Sequence, residues 1–278
     1  FTIYDAEQKT LDCFRDAFGI KPFFYSNHIN FFAFASEVQA LRILAPIHIG
    51  PDYQRAFDFF SMGRYDDKTA TFFDRVSHLA PGCYLKIKLG ASVKIEEGRW
   101  WNPPIKENKQ LSFSDSVDLV RSEFLKNIKL HLRSDVPIGA ALSGGVDSSA
   151  LVCAMRHLEP DLDIHTFSYV AAEGATSEEE WVDLVNEHVN AIPHKVSIAR
   201  DDLFSDLDDM IIGQGEPFGS TSIYASYRVY KMVRDAGVVV CLDGQGADEM
   251  FAGYHGYPHL RLRSLLENGR IGGMAEFL

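Results

Sequence analysis

The chain has few cysteines, no long apolar run and no surplus of positive charge, and each shortage removes a class of protein. Among its 278 residues are 4 cysteines. Cys13, Cys83, Cys153 and Cys241 are scattered without paired spacing, so neither a zinc site nor a disulfide framework is indicated. Cys153 and Cys241 lie in apolar runs and read as small buried hydrophobes. No stretch reaches the length that crosses a bilayer and no signal peptide opens the chain, so no membrane partner is expected and the expected compartment is the cytoplasm. Lys and Arg number 27 against 39 Asp and Glu, a net charge of −12. That is the wrong sign for a nucleic-acid binder, which needs a basic face to release counterions. With 46% hydrophobic and 24% charged residues, a packed globular chain is expected and a disordered one is not.

What is present centres on Val136–Met155, VPIGAALSGGVDSSALVCAM. An apolar run gives way to Ser143-Gly144-Gly145-Val146-Asp147-Ser148-Ser149 and then to an apolar segment of helical character, which reads as strand, tight loop and helix. Adjacent glycines allow a sharp turn and a close ligand, and the first N–H groups of the helix point into the loop, where a phosphate can accept them. No lysine occurs there, so this is not the common Gly-x4-Gly-Lys-Ser/Thr phosphate loop. Asp147 answers the charge instead: a carboxylate beside phosphates needs a bridging divalent cation, and magnesium favours a few carboxylates plus phosphate oxygens. Val238–Tyr257, VVVCLDGQGADEMFAGYHGY, repeats the pattern with Asp248 and Glu249 at the mouth of a helix. In a parallel sheet both turns lie at the carboxyl edge, where open α/β folds bind ligands, so Asp147 and Asp248 are placed to share a metal.

Ser143–Ser148 resembles the pyrophosphate loop of the ATP pyrophosphatases. Asp243-Gly244-Gln245-Gly246-Ala247-Asp248-Glu249 with Gly253-Tyr254 resembles the second signature of the asparagine synthetases. The resemblance implies ATP with its pyrophosphate on Ser143, Gly144, Gly145, Asp147 and Ser148, and adenine framed by Ala141, Leu142 and Tyr169. It also implies a second nucleotide contact at Asp243 and Gly244, and Mg2+ on Asp147 and Asp248. A substrate carboxylate, aspartate first among candidates, would attack the α-phosphorus, and glutamine-derived ammonia would displace AMP from the acyl-adenylate. Gln245 stands where well-known asparagine synthetases have a glutamate. An amide is no general base near neutral pH, so proton transfer would fall to Glu249 or Glu216; Gln245 and Glu249 are the catalytic candidates. A relative acting on another carboxylate, and a nonenzymatic nucleotide-binding regulator, are the alternatives. A nucleotide or NAD synthetase is disfavoured by the first part of the chain.

That first part reads as antiparallel strands: FTIYD and TLDCF joined across Ala6–Lys9, then FFYS and FFAFAS across Asn27–Asn30. Arg15-Asp16-Ala17-Phe18-Gly19-Ile20-Lys21-Pro22, continuing to Ser36-Glu37, resembles the late part of a class II glutaminase domain, whose N-terminal cysteine nucleophile would precede Phe1. Asp16 matches the residue that pairs with the glutamine α-ammonium; a turn that merely fixes the loop is the other reading. A fragment cut short at both ends is expected, able to bind nucleotide weakly without completing turnover. Ser36–Leu44 and Pro51–Met62 read as helices, with Phe57, Phe59 and Phe60 as core. His78, Trp100 and Trp101 read as packing at a domain join.

Asn102–Leu111, with two prolines and no periodicity, reads as a linker between residues 1–101 and a domain of residues 112–278. From there the expected elements are a helix capped by Ser114 with Val117, Val120, Phe124 and Ile128 on one face, a helix over Ser148–Leu158, and a strand over Ile164–Val170. A Ser177–Glu180 capping box then opens a helix, followed by a strand over Pro193–Ile198, helices over Asp201–Ile212 and Ser222–Ala236, and a strand over Val238–Leu242. The fold class is α/β: a partial α+β glutaminase (Ntn-type) domain followed by a doubly wound parallel-sheet domain. The partners are small molecules, and the reading leaves room for a homodimer.

Overall fold

The computed structural model describes residues 1–28, 30–44, 48–66, 68–90, 92–106, 108, 110–171, 178–199 and 201–277. Two compact units emerge: Phe1–Gln110 with Asp201–Tyr224, and Leu111–Arg200 with Ala225–Leu278. The chain begins with β1 (Thr2–Asp5), β2 (Thr10–Phe14), β3 (Phe24–His28), β4 (Phe31–Ala35), α1 (Val38–Leu44), α2 (Tyr53–Met62), β5 (Ser77–His78), β6 (Cys83–Lys88) and β7 (Lys94–Arg99). There follow α3 (Phe113–His131), β8 (Ile138–Ala141), α4 (Val146–Leu158), β9 (His165–Tyr169), α5 (Glu179–Val189), β10 (Ile192–Val196) and α6 (Asp202–Gln214). The described chain closes with α7 (Ser222–Asp235), β11 (Val240–Leu242), α8 (Ala247–Phe251), α9 (Tyr257–Glu267) and α10 (Ile271–Phe277). None of these helices is long and apolar enough to cross a membrane.

The first unit holds two antiparallel sheets, β1-β2-β6-β7 and β4-β3-β5. Strand β6, CYLKIK, buries Cys83, Leu85 and Ile87 and exposes Lys86 and Lys88, the period of two that a half-buried strand requires. Those three side chains pack with Cys13, Phe23 and Leu79 into one core. Phe24, Val38, Leu41, Ile49 and Val76 form a second core between the β4-β3-β5 sheet and α1. The cysteines are free thiols.

Helix α2 corrects the core expected of its phenylalanines. Phe57 and Phe60 are 63% and 84% exposed. The inward face instead carries Arg55, only 4% exposed, and Phe59, whose ring meets Phe72 edge-on at 5.7 Å. Residues 55 and 59 share a helical face, which turns 57 and 60 away from it. The Arg55 guanidinium lies over the Phe72 ring at 5.2 Å and donates to the Tyr65 carbonyl at 2.9 Å.

The second unit is built on a parallel sheet in the order β10-β9-β8-β11. On one face of the sheet, Ile138 and Ala140 of β8, with Leu142 just beyond it, are buried against Leu151, Val152 and Met155 of α4, Ile128 of α3 and Val182 of α5. On the other face Phe167 of β9 packs with Val229 and Val233 of α7 and with Val238. Gly139 makes room there, since a Cβ would stand 2.6 Å from the Phe167 ring. Helices on both faces make the sheet doubly wound. Strands β8, β9 and β10 run outward in sequence order, and β11 returns to pair on the other side of β8, register Val240↔Ile138 and Leu242↔Ala140. The order therefore reverses between β8 and β11, the switch point where such sheets bind ligands.

Helix α3 is capped by Ser112, not Ser114. The Ser112 Oγ accepts the Asp115 N–H at 3.1 Å, and Ser114 falls inside the first turn. Phe124 and Ile128 pack on the core, whereas Val117 and Val120 are exposed. Thr176 and Ser177 lie outside the described residues; α5 begins after Glu178, with no side-chain cap.

Candidate active site

Just past the end of β8, Leu142 is fully buried, its N–H donated to the Phe167 carbonyl at 2.9 Å. The chain then reverses through Gly144, φ +89°, where a Cβ would lie 2.9 Å from the Glu178 carbonyl oxygen. The Ser148 hydroxyl pins the loop from inside. It accepts the Ser143 N–H at 3.2 Å, lies 3.1 Å from the Ser143 hydroxyl and donates to the Gly145 carbonyl at 3.2 Å. The Gly145 N–H in turn donates to Ser143 Oγ at 3.3 Å. Helix α4 starts from Gly145 without a side-chain cap, so its first-turn N–H groups meet no capping oxygen. Ser143 and Asp147 are exposed at the loop surface and Gly145 is half-buried. Ala141 is half-buried and Tyr169, at the end of β9, is exposed.

The second glycine turn lies against the first. A Cβ on Gly244 would be 3.3 Å from the Ser148 nitrogen and 3.5 Å from Asp147 Cβ. Asp243 shapes this turn: Oδ1 accepts the Gln245 N–H at 3.2 Å and Oδ2 accepts the Tyr230 hydroxyl at 2.7 Å. Gly246 adopts φ +93° and leads into α8. Asp248 is half-buried and nestles on Gly253, where any Cβ would collide with its carboxylate. Gln245 and Glu249 are exposed.

Glu249 of α8 is tied to a tyrosine. The Tyr254 hydroxyl donates to Glu249 at 2.7 Å, which holds the Glu249 carboxyl below its ordinary range and pushes the Tyr254 phenol up to about 12. Glu249 is thereby made a weaker base than a free glutamate. Burial, then the bond and charge of Asp243, push the Tyr230 phenol far up. Burial and Asp243 also raise the Cys241 thiol to about 11, so it stays protonated at neutral pH. Among the described residues no group of three or more His, Cys, Asp and Glu gathers as a metal site.

In the first unit, Asp16 is bound by its own loop. Its carboxylate accepts N–H groups from Phe18 at 3.2 Å, Ile20 at 2.9 Å and Lys21 at 2.9 Å. Arg15 braces the same loop through the carbonyls of Lys21, Leu79 and Gly19, so the two side chains fix it in parallel and not as a mutual pair. Trp100 Nε1–H donates to the Arg15 carbonyl at 3.0 Å, and Trp101 meets the Phe18 ring at 5.1 Å.

His78 packs its ring on Phe24 at 4.3 Å and has a second role. With Tyr65, Lys68, Phe72, Gln214 and Glu216 it lines a cavity of about 350 Å³. Glu216 accepts the Phe72 N–H at 2.7 Å, and its other oxygen is 3.1 Å from His78 Nε2. His78 Nδ1 is buried with no partner among the described residues. Both Glu216 oxygens are thus engaged. Neither this pair nor Tyr230–Asp243 had a signal in the spacing of the sequence, because each joins residues on different elements.

A doubly wound parallel sheet with two glycine turns touching at its switch point is the architecture of an ATP-pyrophosphatase-type domain. A family model described as asparagine synthase matches residues 119–273, and one described as a glutamine amidotransferase domain matches residues 1–101. The first covers more than half of the chain, and the chain belongs to the asparagine synthase family. A Methanocaldococcus jannaschii relative is 29% identical over 283 residues, 98% of this chain and 53% of that protein. Asparagine synthetase [glutamine-hydrolyzing] 3 of Bacillus subtilis is 29% identical over 268 residues, 91% of this chain and 43% of that protein. Amidase chry2 of Gibberella zeae is 24% identical, covering 92% and 40%. The chain thus spans about half the length, or less, of these curated relatives. Among solved structures, an NH3-dependent NAD synthetase from Campylobacter jejuni matches at a TM-score of 0.35 and 14% identity, over 49% of this chain and 60% of that one; so loose a likeness supports no assignment.

Proposed function

We propose that this chain is the nucleotide-activating part, with an adjoining part of the glutaminase domain, of an ATP-dependent amidotransferase that makes an amide from a carboxylate, aspartate first among the candidates. The observation that carries this is the contact of Gly244 with Asp147 and Ser148, which brings two anion-tolerant turns and their acidic residues to one switch point. In chain order, residues 1–101 belong to the glutaminase domain, 102–111 link it, and 112–278 belong to the synthetase domain, of which Asp201–Tyr224 folds as part of the first unit. The setting is the cytoplasm.

The loop's work is electrostatic. First-turn N–H groups of α4 and the turn at Gly144–Gly145 offer preformed donors to the leaving pyrophosphate, and Ser148 holds that shape from within. Ala141, Leu142 and Tyr169 frame the adenine, with Asp243 and Gly244 behind the phosphates. Asp147 and Asp248 would hold magnesium: two carboxylates suit an ion that takes its other ligands from phosphate and water. That ion would neutralise charge as the carboxylate attacks the α-phosphorus. Glu249 is already engaged with Tyr254 and Gln245 is an amide, so neither is a free base; ammonia would attack unprotonated, and the proton it sheds as the amide forms would pass to the departing AMP phosphate or to water. Asp16, kept ionised by its N–H donors, remains suited to a glutamine α-ammonium.

The test is pyrophosphate–ATP exchange by the full-length protein with magnesium and a panel of carboxylates, beginning with aspartate. Exchange that requires one acid and disappears in Asp147→Asn and Asp248→Asn is the expected result. ATP binding without exchange for any acid would favour the nonenzymatic reading, for which the engaged Glu249 is the specific support. The panel is broad because one relative carries an amidase name and the others asparagine synthetase names.

A further inference from the structure

Asp243 is the odd charge at this site. Its turn carries Gly244, which lies against the α4 N-terminus where the phosphates of a bound nucleotide are proposed to sit. A carboxylate free to swing from that position would face those phosphates and repel them. It does not swing, because both oxygens are engaged: Oδ1 by the Gln245 N–H within the turn, and Oδ2 by the Tyr230 hydroxyl at 2.7 Å. Tyr230 comes from α7, whose neighbouring Val229 and Val233 are anchored in the core beneath Phe167, so the donor rests on a fixed element.

We propose that Tyr230 is a positioning residue that ties back the Asp243 carboxylate, keeping its charge off the nucleotide phosphates and setting the turn that places Gly244. This rests on the nucleotide reading above. A phenol suits the task because it donates a hydrogen bond without adding a positive charge that would compete with a divalent ion for phosphate oxygens. Asp147 and Asp248 then remain the carboxylates that meet the ion, while Asp243 acts only on the turn.

The experiment is calorimetric binding of Mg–ATP and of adenosine to the full-length protein as wild type, Tyr230→Phe, Asp243→Asn and the double variant, with thermal melts confirming that each is folded. Tyr230→Phe should weaken Mg–ATP by about tenfold, the effect of one nearby charge in a partly screened site, and leave adenosine within about twofold. The loss should grow as salt is lowered and should shrink to less than about threefold when measured in the Asp243→Asn background, where no charge needs restraint. Equal losses for ATP and adenosine, or the same loss in both backgrounds, would overturn the charge-restraint role. So would an unchanged ATP affinity in Tyr230→Phe. If wild type binds neither ligand, the nucleotide reading itself fails and takes this inference with it.

Discussion

At Gly144 the backbone stands at φ +89°, and a Cβ would press on the Glu178 carbonyl at 2.9 Å. Gly144→Ala should therefore destabilise the fold by about 1–3 kcal/mol and weaken Mg–ATP, as read by urea unfolding and calorimetry. A variant as stable as wild type would mean that the turn can relax. Asp16 gives a second expectation. Burial alone would raise its pKa, but the N–H groups of Lys21, Ile20 and Phe18 and the Arg15 charge outweigh it, so the folded value is lowered. A lowered carboxylate adds stability above its unfolded pKa of about 3.9, lost as the pH falls through the folded value. Below about pH 4 the melting temperature of wild type should fall more steeply than that of Asp16→Asn; parallel slopes would contradict this. The glycines and acids of both turns were legible because turn chemistry is local. The inward hydroxyl of Ser148 was not, since its partners are defined only once the loop has closed on itself.

Among the elements, β9 and β10 carry two facing imidazoles. His165 Nδ1 and His194 Nε2 are 2.9 Å apart, beside Phe167, and such a bond needs one proton between two rings. Burial and then the His165 charge lower the His194 pKa. The unfolded state therefore binds its proton first: stability is full above about pH 6.5 and declines as the pH falls through the lowered folded value. Replacing His194 by Gln should flatten the melting temperature between about pH 7 and 5 relative to wild type. An unchanged slope would refute it. Helix α3 offers a simpler case: Ser112→Ala should lose about 1 kcal/mol of stability, and Ser114→Ala much less, because only Ser112 caps. The strands and helices of the parallel sheet were readable from their periods, yet α2 was not, because an Arg55 stacked on Phe72 took the inward face that composition assigned to Phe57 and Phe60.

At the scale of the molecule, the first unit is completed by Asp201–Tyr224. A linear reading places a linker at 102–111 but cannot see a later segment returning to an earlier one. Residues 1–110 expressed alone should therefore lack the Glu216 acceptor for the Phe72 N–H and His78, and lose about 1–3 kcal/mol from those groups besides the packing of α6. Co-expression with residues 111–278 should restore the cooperative melt. A melt for 1–110 alone that matches its behaviour in the whole chain would show that the returning segment adds nothing.

Glu216 lies 144 residues beyond Phe72 and 138 beyond His78. During synthesis the early strands emerge long before their acceptor, and β3, β4 and β5 must wait through the translation of β8, β9 and β10. Local hairpins can form at once, but closure over so long a loop is slow and leaves surface exposed to association meanwhile. The timing of one glutamate's exit from the ribosome thus sets when the first unit can finish folding, so slowed translation between residues 80 and 216 should lengthen that vulnerable interval and raise the demand for chaperones.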